Sequence, residues 1–130
     1  MTVVPTITAN RIALEREPTA SIQFVLRVEL NYPPRDDMRY WALREDQEEN
    51  YRGQWYPQFL AEPITNQPLL KFLVQMPLAD QRGYKLVVVE CDLNGDAEIW
   101  KVVHQGPDVW LSGPPVGCRP VGDALFKPLK

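Results

Sequence analysis

Residues 84–103 constrain the fold more than any other stretch of the chain. Tyr84-Lys85-Leu86-Val87-Val88-Val89-Glu90-Cys91-Asp92 is joined through Leu93-Asn94-Gly95-Asp96 to Ala97-Glu98-Ile99-Trp100-Lys101-Val102-Val103. An Asn-Gly pair supplies the positive φ that both central positions of a type I′ turn need, so two β-rich runs around it predict a β-hairpin and an antiparallel architecture. Across that turn Val87, Val89 and Cys91 share a face with Trp100 and Val102. Leu86, Val88, Ile99 and Val103 share the other with Glu90 and Lys101, so both faces are expected to be covered at least in part.

Other segments carry the same period. Ile22, Phe24, Leu26, Val28, Leu30 and Tyr32 alternate with mostly polar residues, which predicts a long strand with one face in the core and one in water. Ile12 and Leu14 mark a strand over 11–15, Trp41 and Leu43 one over 39–44 with those two side chains inward, and Leu70, Phe72, Val74 and Met76 one over 70–76. Residues 54–62 read as an irregular or edge strand because Pro57 interrupts them. With the hairpin, seven strand-like segments fall in residues 1–104 without a convincing helix, and 13 prolines in the chain fit that reading. The expectation is an all-β, antiparallel two-layer β-sandwich over 1–104, with a partly open β-barrel as the alternative. Gly106-Pro107, Gly113-Pro114-Pro115, Gly117 and Pro120 predict that 105–130 form an irregular, extended Pro/Gly-rich C-terminal arm packing on the domain or on a partner.

Asp80, Gly83 and Tyr84, at the mouth of a strand, resemble the tyrosine corner of immunoglobulin-like folds. The resemblance covers one corner, and Cys91 stands seven residues after Tyr84 where antibody domains place a cysteine two residues on. It implies a topology and no activity.

The residues that support most enzyme chemistries are sparse. The one histidine, His104, sits at the end of the expected hairpin, out of register with Cys91. No phosphate-binding glycine loop occurs, and Asp92–Glu98 lacks calcium-loop spacing, an Asn-Gly turn accounting for the same residues. Neither catalytic residues, a metal nor another cofactor is therefore expected. A net charge of −3 argues against nucleic acid as a partner, and no apolar run is long enough to span a membrane. Met1–Ile7 lack the pattern of a secretory signal, so a cytoplasmic setting with Cys91 and Cys118 as free thiols is expected.

Between Tyr32 and Phe59 lie seven of the chain's thirteen aromatic residues, interleaved with acids and arginines. Aromatic rings give rigid contact area and Arg gives directional bonds, so such a stretch suits a recognition surface. The candidate binding residues are Tyr40, Arg44, Tyr51, Arg52, Trp55 and Tyr56, with Trp110 and Phe126 from the arm. The reading that follows is a non-catalytic protein-interaction or assembly domain: an adaptor, an inhibitor, or a subunit of a larger complex such as a phage or secretion-type particle, with a protein partner or its own copies. Alternatives are a ligand-binding module using the aromatic loop for a sugar or proline-rich peptide, and a small enzyme with an unrecognised carboxylate site.

Overall fold

A computed structural model of the chain describes residues 6–16, 23–45, 55–61, 66–75, 84–92 and 117–126. These form strands β1 (Ala9–Arg16), β2 (Gln23–Leu30), β3 (Arg39–Glu45), β4 (Trp55–Leu60), β5 (Leu69–Gln75), β6 (Tyr84–Cys91) and β7 (Cys118–Phe126). Every pairing is antiparallel. Three strands are ordered β1-β2-β5 and four are ordered β4-β3-β6-β7, as two sheets that do not close into a barrel.

The alternation in β2 reads directly into space. Phe24, Leu26, Val28 and Leu30 are buried, whereas Tyr32, beyond the strand end, is exposed. Leu70 and Phe72 of β5 join them, and Leu73, on the opposite face, is 53% exposed. These side chains form one core cluster with Tyr40, Ala42, Leu86, Val88 and Val121 of the four-stranded sheet, and Ile12 and Leu14 of β1 pack against its margin. Full burial contributes roughly 1.5–3 kcal/mol for each large aliphatic or aromatic side chain, so this shared cluster is the main bond between the two sheets.

The four-stranded sheet buries both faces. Trp41, Leu43, Val87, Val89 and Cys91 form a second buried cluster, against which Trp55 and Cys118 pack. The unbroken apolar run Leu86-Val87-Val88-Val89 fits that setting, since a strand covered on both sides has no polar face to show in its sequence. Trp41 and Leu43 of β3 are buried as expected, and Tyr40 and Ala42 are buried as well, on the face shared with the other sheet.

Three further expectations change. The ladder across Asn94-Gly95 is replaced, because β6 has a neighbour on each edge: Lys85 to Cys91 pair with β3, and Tyr84 to Cys91 pair with β7. The second run of the expected hairpin, residues 97–103, lies outside the described residues. The irregular arm is replaced over 118–126 by β7. Its Pro120 is tolerated because β7 has a sheet neighbour on one side only among the described residues, and a register shift between Val88 and Val89 marks a bulge there. Cys91 and Cys118 are not free thiols; they stand directly opposite each other on β6 and β7 and form a disulfide.

Ahead of β1 the chain is pinned by Asn31. The side-chain Oδ1 accepts from the Thr8 N–H at 2.8 Å, Nδ2 donates to the Thr6 carbonyl at 2.9 Å, and the Asn31 N–H donates to the Thr8 carbonyl at 3.1 Å. Thr6 and Thr8 are exposed while Ile7 between them, at 1% exposure, enters the shared core.

Candidate functional site

The most highly organised polar group in the described structure is built on three strand positions. Glu90 of β6 faces the shared core cluster and is only 3% exposed. Its neighbours in register are Tyr40 on β3 and Arg119 on β7, which puts all three residues on one face of the sheet. The Tyr40 hydroxyl donates to Glu90 Oε2 at 2.6 Å. Arg119 brings two N–H groups to Oε1, Nε at 2.9 Å and Nη2 at 2.8 Å. Arg119 Nη1 also donates to the Ile7 carbonyl at 3.5 Å, and the Tyr40 oxygen accepts from the Arg35 N–H at 2.9 Å.

Burial, first, and the bond to Glu90, second, push the Tyr40 phenol well above its ordinary pKa of 10.0. The hydroxyl is thus a fixed donor to the carboxylate and a fixed acceptor for the backbone. Both oxygens of Glu90 are engaged by protein donors, and no buried side-chain nitrogen or oxygen among the described residues lacks a partner. A carboxylate held this way ties three strands together, Oε2 through Tyr40 and Oε1 through Arg119. A phenol bonded to backbone five residues upstream is the arrangement that the corner resemblance suggests for Tyr84, but Tyr40 makes it here, and the Tyr84 side chain lies outside the described residues.

Of the candidate binding residues, Tyr40 is thereby withdrawn from the surface: its ring is in the core and its hydroxyl is used internally. Arg44 and Trp55, both half-buried, lie at the other end of β3 and on β4, where Arg44 stands opposite Tyr56 and Glu45 opposite Trp55. Trp55 packs against the second buried cluster. Continuing across the sheet, Glu45 pairs with Lys85 and Lys85 with Leu125, so Phe126, next along β7, belongs to the same end. Tyr51, Arg52 and Trp110 lie outside the described residues, as do His104 and most of the stretch Asp92–Glu98. Among the described residues, no three His, Cys, Asp or Glu side chains converge as a metal site would require.

Sequence reasoning passes over Glu90, Arg119, Ile7 and Asn31. The one available signal is Glu90 itself, an acid closing an apolar run on a strand whose faces are both expected to be covered, since burial of a carboxylate demands a cation or several donors. Arg119, flanked by Cys118 and Pro120, carries no comparable mark. No protein-family model, no curated protein and no solved structure matches the chain.

Proposed function

We propose that this chain is a non-catalytic protein-interaction module that binds through the β3–β4 end of its four-stranded sheet. The observation that carries the reading is the β3–β4 register, which sets Arg44 opposite Tyr56 on one face and, on the next rung, Glu45 opposite Trp55 on the other, so that the four residues share one end of the sheet. Trp, Tyr and Arg are the residue types enriched at the energetic centres of protein interfaces. The buried Tyr40–Glu90–Arg119 group, with its donors and acceptors used internally, supports a scaffold role for the interior.

The strand order also supports a finer reading of the fold. Labelling β1, β2 and β5 as A, B and E, and β4, β3, β6 and β7 as C′, C, F and G, gives the neighbour relations of an immunoglobulin-like two-layer sandwich. That likeness concerns architecture and leaves function to the surface. No helix among the described residues is long and apolar enough to cross a membrane. In a cytoplasmic setting the Cys91–Cys118 bond would be a redox-responsive link, since persistent structural disulfides belong to oxidising compartments.

The test is a cross-linked capture from native lysate by the full chain, read by mass spectrometry and repeated with Arg44→Ala and Tyr56→Ala. One protein retained in stoichiometric amount by the native chain and lost by both variants, each with an unchanged melting temperature, is the expected outcome. Equal retention by the variants would move the interface elsewhere, and the absence of any protein partner would remove the reading.

A further inference from the structure

Cys91 faces Cys118 and, on the next rung, buried Glu90 faces partly exposed Arg119, so a covalent link and an ion pair occupy successive cross-strand positions. We infer that this disulfide is a redox latch: its reduction releases the Cys118–Pro120 end of β7, withdraws Arg119 from Glu90, and loosens the Ile7 segment.

The hold on that end is local. Beyond the bulge only Cys118, Arg119 and Pro120 are in register with β6, and Pro120 has no N–H to donate. Gly117, at φ 86°, leads into the strand, with its carbonyl accepting from the Asp92 N–H at 3.0 Å. Among the described residues β6 is the only strand paired with β7. The disulfide and the Glu90–Arg119 pair therefore carry much of the registration of these three residues. Arg119 is also the connection onward, because its Nη1 reaches the Ile7 carbonyl in the segment that Asn31 pins.

In the redox step a dithiol supplies two electrons and two protons. Its own sulfurs join in a disulfide, the Cys91–Cys118 bond breaks, and two thiols form. Inside the protein, the Glu90–Arg119 pair resists this opening because Glu90 is buried, and whatever freedom Arg119 gains passes to the Ile7 segment through the bond to its carbonyl.

The test uses the full chain. Thiol titration of the unreduced, denatured protein should find no reactive thiol, and two reactive thiols would overturn the proposal. Amide exchange is then followed by NMR with and without dithiothreitol, comparing Arg119, Val121, Thr8 and Asn31 with Leu26 and Val28. Reduction should raise the ratio of the first group's rates to the second's by about tenfold or more, as expected of local opening. An unchanged ratio, or complete unfolding on reduction, would show a staple that acts on the whole chain and would overturn the latch. Arg119→Gln with the disulfide intact should reproduce the faster exchange at Thr8 and Asn31 alone; no change there would overturn the transmission to Ile7.

Discussion

Ala9 and Gly122 touch where β1 of one sheet comes against β7 of the other. A methyl group built on Gly122 would stand 2.7 Å from the Ala9 Cβ and 3.4 Å from Ile12 Cδ1. The first contact is with an atom fixed to the backbone, so relief requires the strands to separate. Gly122→Ala should therefore destabilise the fold by about 1–3 kcal/mol, measured as a fall in the urea midpoint. Ala9→Gly in the same chain should recover part of that loss, and a purely additive double mutant would show that the two sites do not meet.

Tyr40 links alkaline stability to one hydroxyl. Because the folded state holds the phenolic proton more tightly than the unfolded chain, its contribution is complete below 10.0, the ordinary value, and declines as pH rises above it. Urea midpoints taken on either side of that value should show the decline, and Tyr40→Phe should reduce it. At neutral pH the same substitution should cost about 1–3 kcal/mol by leaving the Arg35 N–H and one Glu90 oxygen without their partner.

The Glu90–Arg119 pair distinguishes loss of charge from loss of a partner. Arg119→Met removes both donors to Oε1 and leaves a buried carboxylate, at a cost of about 1–3 kcal/mol, below the figure for a fully buried pair because the Arg119 side chain is 40% exposed. Glu90→Gln keeps an oxygen for Tyr40 or Arg119 and should cost less. Thermal melts of the two variants provide the comparison, and a costlier Glu90→Gln would mean that the carboxylate charge matters more than the bonds.

Two faces of β5 should respond in opposite ways. Phe72→Ala opens a cavity in the shared core and should cost about 3–5 kcal/mol. Leu73→Glu, on the exposed side of the same strand, should change stability by about 0.5 kcal/mol or less. Similar losses at both positions would place a covering layer over Leu73.

Where one face of a strand is wet, sequence and structure agree closely. Phe24, Leu26, Val28 and Leu30 alternate with mostly polar residues because the outer face of β2 is not buried, and Leu70 and Phe72 follow the same rule. In β3 and β6 the period conveys less, since both faces are buried and a residue's parity no longer reveals its environment. Tyr40 illustrates the cost: an aromatic beside charged neighbours reads as a contact residue until Glu90, 50 positions away in sequence, is found accepting its hydrogen bond. Pro120 and Gly122 hide β7 for a different reason. Both weaken strand propensity, yet a strand that has one neighbour among the described residues and a bulge accommodates the first, and the approach of Ala9 requires the second. The Asn94-Gly95 signal is local and cannot reveal that distant segments already occupy both edges of β6. Of the proposed binding surface, sequence supplies the residue types and β-pairing supplies their adjacency, as with Arg44 and Tyr56.

The bond from Arg119 to the Ile7 carbonyl joins groups 112 positions apart, and β7 completes a sheet that β3 and β6 begin. A ribosome making this chain must therefore deliver residues up to Arg119 before Glu90 can meet its cation. Until then Ile7 has emerged long before one of the groups that secures it. Folding dominated by such distant pairings is slow, on the order of milliseconds to seconds. Between the synthesis of β6 and that of β7 the nascent chain therefore carries a β6 that lacks one of its two neighbours, with a strand edge open to other chains.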